Sequence, residues 1–124
     1  MFLKVLESWS LLLYFESLMR FRGFEAIHRV VSRKQVRERH GTHGSSEAIC
    51  QAVDIACVLY FKRVLCLQRS AATTLLLRRH GWPATMVIGA QLLPFESHAW
   101  VEIDGCVVND KPYIREMYQE LERC

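Results

Sequence analysis

The apolar positions of this chain fall into two regimes. From Phe2 to about His80 they recur at the three- and four-residue spacing of helices, whereas from Thr85 onward they gather in short runs that suit strands. Phe2 to Met19 reads as a helix with Phe2, Leu6, Trp9, Leu13 and Leu18 near one face, broken at Arg20 to Gly23. A second helix, Phe24 to about Arg37, sets Phe24, Ile27, Val30 and Val31 on an apolar stripe opposite its arginines. His40 to Ser46 then brings two glycines and two serines after a charged run, the pattern of a linker. Ser45 or Ser46 can cap the next helix, which places Ile49, Val53, Ala56, Cys57 and Tyr60 on one side. After a break at Lys62 to Leu65, a further helix runs from Cys66 to His80 and stops on Arg78, Arg79 and Gly81, with Pro83 beyond.

The strand-like runs are Thr85 to Leu93, His98 to Ile103 and Cys106 to Val108, with a turn at Pro94 to Ser97 and a last helical segment from about Pro112 to Glu122. Helices first and strands second is an α+β arrangement with a small antiparallel sheet. The linker suggests a division into an N-terminal helical region, residues 1–44, packed on or docking to a core of residues 45–124.

Length and composition sharpen this. The chain has 124 residues, 51% of them apolar, a net charge of +3 and few Gly or Pro, the profile of one folded domain. Between Arg20 and His40, seven Lys or Arg stand against Glu25 and Glu38. That stretch lacks aromatic interleaving after Phe24 and any groove-reading signature, so it reads as a solvated helix face and nucleic acid is not an expected partner. Glu7 and Glu16 interrupt the N-terminal apolar segment, whose longest run is Leu11 to Phe15, too short to span a bilayer. Five cysteines without close pairs do not form a disulfide framework. The expectation is a reduced, cytoplasmic protein without a membrane partner.

Cys66 is the residue where chemistry is first suggested. It opens a helix, where unsatisfied N–H groups and the helix dipole favour thiolate over thiol. A nucleophilic thiol also needs a base and a group to orient that base. His98 begins a strand, and Glu102, Asp104 and Asp110 follow it. Hairpin geometry ranks these acids. A two-residue turn at Asp104-Gly105 would pair Ala99 with Asp110, while a three-residue loop of Ile103, Asp104 and Gly105 makes His98 and Asp110 direct neighbours. Gly105 suits the left-handed third position of the longer loop, so that register is the expected one.

The segment Cys66 to Asp110 resembles the transglutaminase-like cysteine proteases that remove leader peptides in lasso peptide biosynthesis. The likeness rests on CLQRS at Cys66 to Ser70, LLRRHG at Leu76 to Gly81, VIG at Val87 to Gly89, PFESHAWVE at Pro94 to Glu102 and VVND at Val107 to Asp110. The resemblance implies a papain-like cysteine protease core in which Cys66 is the nucleophile, His98 the general base and Asp110 its orienting acid, with no cofactor. It implies a precursor peptide as substrate and a macrocyclising enzyme as consumer of the product. The precursor-recognition domain fused in some relatives has no counterpart in these residues, so a separate leader-recognition protein is expected. The Cys66 N–H is one expected oxyanion donor, with Tyr60 or Gln68 as candidates for the second.

Other residues take plainer readings. Cys50 and Cys57 share a helix face and suit core packing. His28, His40, His43 and His80 lack an acid or thiol at ligand spacing, so no metal is expected. Trp100 either walls the substrate cleft or fills the core, Arg69 suits a surface ion pair, and the aromatics of Phe2 to Met19 suit core or a partner interface. Two rivals to proteolysis are an acyltransferase using the same three residues and a noncatalytic peptide-binding scaffold.

Overall fold

The computed structural model describes residues 2–36 and 45–124. Most of the expected linker, and with it the boundary at residue 44, lies outside the described residues. The elements are α1 (Phe2–Phe21), α2 (Phe24–Arg33), α3 (Ser46–Leu59), α4 (Cys66–Arg79), β1 (Ala84–Leu92), β2 (Phe95–Ile103), β3 (Cys106–Val107), α5 (Ile114–Met117) and β4 (Gln119–Arg123). The strands form one antiparallel sheet in the order β3-β2-β1-β4. This is an α+β fold. No helix among the described residues is long and apolar enough to cross a membrane.

Strand alternation gives the sheet two unlike faces. Ala84 and Met86 of β1 join Val101 and Ile103 of β2 in the main core, with Leu75, Leu76 and Leu77 of α4 and Leu11, Leu12 and Phe15 of α1. On the other face Val87 and Trp100 pack under Ile114, with Val107 and Tyr118 beside them. Helix α3 starts where a capping serine was expected: the Ser45 hydroxyl accepts the Ala48 N–H at 3.0 Å. Its stripe of Ile49, Val53 and Ala56 is buried, and Cys50 joins the core.

Five expectations are corrected. Helix α1 turns Ser8, Leu11, Leu12 and Phe15 inward and leaves Phe2, Leu6 and Leu13 exposed. Its apolar residues encircle the helix, so spacing alone does not select a face, and contact with α3 and α4 does. Helix α2 ends at Arg33 rather than near Arg37, because buried Arg78 donates to the carbonyls of Val31 at 2.6 Å and Lys34 at 2.9 Å and ties the chain off there. The β1–β2 turn is Leu93-Pro94 rather than Pro94 to Ser97, since the ladder continues out to Leu92 and Phe95.

The hairpin after β2 takes the two-residue turn. Ile103 pairs with Cys106, and Asp104 and Gly105 both have left-handed φ, 51° and 81°. Such a turn follows the twist of its strands, and an aspartate tolerates the first position. Finally, residues 112–122 form one helical turn and then strand β4. Met86 and Cys124 exchange both backbone hydrogen bonds at 2.8 Å, so the outer edge of β1 supplies partners that a lone polar helix could not replace.

Candidate active site

The N-terminus of α4, the middle of β2 and the segment after β3 converge on one point. Leu65 precedes α4 without a side-chain cap, so the first-turn N–H groups are open at the position Cys66 occupies. Cys66 and His98 line one cavity, and His98 and the backbone at Ala99 and Leu67 act on the thiol. His98 Nε2 is 2.6 Å from Asp110 Oδ2. An ionised Asp110 can only accept, so Nε2 carries the proton there and Nδ1 is left for Cys66.

Electrostatics follow from these contacts. Burial pushes the Cys66 thiol up, but the hydrogen bonds from His98 and from the backbone at Ala99 and Leu67 outweigh it and hold the thiol below its ordinary value. His98 is pushed up to about 9, first by its bond to Cys66 and, against burial, by Asp110 as well. Burial also raises Asp110, yet His98 and the Lys111 N–H at 2.7 Å keep it below the usual carboxylate range. Both shifts move the pair toward a thiolate beside an imidazolium.

Asp110 reaches His98 although the hairpin register is not the expected one. The ladder to β3 stops early: Val108 N–H donates to the Val101 carbonyl at 2.9 Å, but the Val101 N–H turns to Asn109 Oδ1 at 2.7 Å. In a continued antiparallel ladder that partner would be the Val108 carbonyl. Asn109 Nδ2 donates to Ser70 Oγ at 3.1 Å, and Ser70 donates in turn to the Ala99 carbonyl at 3.0 Å. Arg69 Nη2 holds the Asn109 carbonyl at 2.7 Å and Asp54 at 2.9 Å. Buried Asn109 thus replaces the sheet as the support of the residue that follows it. The sequence motif VVND contained Asn109 but attached no role to it.

The imidazole also packs against two aromatic rings that touch each other, with centroids 6.3 Å apart. It stacks on Tyr118 at 5.3 Å and 21° and lies 6.3 Å from the buried indole of Trp100, whose N–H donates to Glu102 at 2.8 Å. Trp100 therefore fills the small core and braces His98. Tyr118 escaped sequence reasoning, because the segment that carries it reads as a polar helix. Gly89 faces His98 across the β1–β2 ladder, and a Cβ there would meet Trp100 at 2.8 Å.

The second oxyanion candidates lie apart from this cluster in kind. Among the described residues the buried Tyr60 hydroxyl, in a group with Trp9 and Phe61, has no hydrogen-bond partner, and neither has buried Gln68 Oε1 in the first turn of α4. His28 pairs with Glu122 at 3.1 Å and His80 Nδ1 meets the Leu76 carbonyl at 2.9 Å, while His40 and His43 lie outside the described residues. Among the described residues no group of three His, Cys, Asp or Glu could hold a metal ion.

The α+β fold thus sets a cysteine at a helix start near a strand histidine and an acid. The chain belongs to the transglutaminase-like superfamily, whose family model matches residues 9–123. It is also similar to the microcin J25-processing protein McjB of Escherichia coli, with 43% identity over 51 residues. That match covers 41% of this chain and 24% of McjB, so it spans about a quarter of the relative's length. No solved structure matches the chain.

Proposed function

We propose that this protein is a cysteine protease that removes the leader from a ribosomally made precursor peptide of the lasso class, with Cys66 as nucleophile, His98 as acid and base, and Asp110 as its orienting acid. The observation that carries the reading is that Cys66 and His98 line one cavity while His98 is hydrogen-bonded to Asp110 at 2.6 Å, with the thiol shifted down and the imidazole up. The similarity to a microcin-processing protein supports the substrate class.

In this mechanism the Cys66 thiolate adds to the scissile carbonyl, forming an S–C bond and an oxyanion. The open first-turn N–H of Cys66 is the donor we assign to that charge. Collapse breaks the C–N bond as the His98 imidazolium gives its proton to the leaving amine. Neutral His98 then takes a proton from water, whose oxygen attacks the thioester, and the thiolate leaves with the acyl product released as acid. Asp110 stays ionised throughout and holds Nε2. The catalytic groups fall in residues 45–124, and the N-terminal helices serve as a wall of the cleft. The leader is presented by a separate recognition protein, the product passes to a macrocyclising enzyme, and the setting is the bacterial cytoplasm.

The test is mass spectrometry of a candidate precursor incubated with this protein and a recognition partner, comparing wild type with Cys66→Ala and His98→Ala. Cleavage at one bond, lost in both variants, is expected. A mass gain on an added amine would replace proteolysis by acyl transfer. Absence of any Cys66-dependent product from folded protein with bound precursor would leave the scaffold reading.

A further inference from the structure

Beside the sulfur and the imidazole lies a cavity of about 360 Å³ lined by Met19, Phe24, Leu65, Leu67, Ile88 and Ala99, together with Ser97, Cys66 and His98. Such a volume sits near the lower end of ligand pockets, about 300–1,000 Å³, and suits one or two residue side chains rather than a folded segment. Apart from Cys66 and His98 themselves, none of the described residues that line it is ionisable. Two of its walls are apolar groups left open to solvent, Leu65 at 55% and Phe24 at 37% exposure. An exposed apolar patch continuous with a nucleophile fits a surface that substrate covers.

The origin of the walls adds a second constraint. Leu65 and Leu67 flank Cys66 in the chain, whereas Met19 comes from α1 and Phe24 opens α2. The two helices are separated by a short turn in which Gly23 has φ 83°, a conformation that lets α2 start at once after α1. The N-terminal helices therefore complete the cleft. In the acyl-transfer mechanism the acyl half of the substrate remains bonded to Cys66 through both steps, while the amine half leaves after the first. A pocket walled by the neighbours of Cys66 grips the half that stays.

We infer that this pocket selects the substrate: it takes a large, uncharged apolar side chain from the acyl-side residue next to the scissile carbonyl, and Phe24 and Met19 set that preference. The inference rests on Cys66 being the nucleophile proposed above. A carboxylate or ammonium placed there would lose water and meet only the Cys66–His98 pair, whose charges already offset each other. One methylene more or less in an apolar pocket is worth about 10- to 200-fold in discrimination.

The experiment uses peptidyl chloromethyl ketones that differ only in the residue beside the reactive carbon: benzyl, isobutyl, carboxyethyl or aminobutyl. The rate of Cys66 alkylation is followed by peptide mapping and divided by the rate with iodoacetamide, which has no side chain to place. Benzyl and isobutyl reagents are expected to react at least 10-fold faster than the charged pair. In Phe24→Arg, whose site is partly exposed and tolerates charge, the normalised ranking should shift toward the carboxyethyl reagent. Equal normalised rates for all four, with fast iodoacetamide labelling of Cys66, would overturn the pocket and leave the nucleophile standing. Iodoacetamide labelling of Cys66 no faster than in urea-unfolded protein would overturn the nucleophile, and the pocket with it.

Discussion

His98 and Asp110 are bonded at 2.6 Å without being partners in any strand ladder. The two-residue turn at Asp104-Gly105 puts Asp110 out of register with His98, and the chain corrects for this by leaving the sheet at Val108. Asn109 then uses its side chain for the next ladder bond, freeing the backbone to swing Asp110 onto the imidazole. The contact is thus made by a break in the sheet, and it depends on side chains two elements away.

That dependence separates two variants of Asp110. Asp110→Ala removes both the hydrogen bond and the charge at Nε2, and precursor cleavage should fall by about 10²- to 10⁴-fold. Asp110→Asn keeps an acceptor for the Nε2 proton and should retain more activity. Initial rates by mass spectrometry, with melting curves to check folding, measure the difference. Equal activity of Asp110→Ala and wild type would remove Asp110 from the mechanism.

The pH profile follows from the signs of the two shifts. The Cys66 thiolate exists above a pKa held below the ordinary 9.0, and the His98 imidazolium exists below about 9. Raising the pH through about 9 takes the proton that the leaving amine needs, and lowering it through the Cys66 value protonates the nucleophile. The cleavage rate should therefore be bell-shaped with its alkaline limb near 9. For Cys66 alkylation by iodoacetamide, His98→Ala should move the acid limb upward toward the ordinary thiol value. An unchanged limb in that variant would show that His98 does not support the thiolate.

Asn109→Ala leaves the Val101 N–H and Ser70 without their partner in a buried setting, at a cost of about 1–3 kcal/mol in stability. Loss of the clamp should also lower the cleavage rate by more than the unfolded fraction explains. Arg69→Ala, whose side chain is partly exposed, should cost less stability but act in the same direction, since it releases the Asn109 carbonyl. Denaturant melts paired with rates at full folding test both variants. Full activity of folded Asn109→Ala would mean that Asp110 needs no such support.

Gly89→Ala would place a methyl 2.8 Å from the Trp100 ring and 3.0 Å from the Gln119 carbonyl, one side of which is backbone of β4. Overpacking of this kind costs about 1–3 kcal/mol. Because Trp100 braces His98, tryptophan emission and the pH profile should shift together with the melting midpoint. A variant as stable as wild type would show that β4 yields freely at this point.

Local chemistry was readable where one short segment decides the outcome. Ser45 caps α3 and Gly81 with its left-handed φ closes α4, each through bonds or dihedrals a few residues apart. The ordered cysteine, histidine and aspartate, with the residues around them, likewise pointed to Cys66, His98 and Asp110. These three are brought together in space, although by a different hairpin register from the one spacing favoured.

What only the tertiary structure decided concerns surfaces with no local preference. The encircling apolar residues of α1 acquire an inner face through α3 and α4, and the residues from Gln119 to Arg123 become a strand because β1 offers an unpaired edge. Asn109, Tyr118, Met19 and Phe24 come to the site from elements that are remote or misread in sequence. The physical reason is common to all of them. Periodicity and capping act over a turn or two of chain, whereas edge pairing, burial of one face among several and the walls of a cleft are settled by partners dozens of residues away.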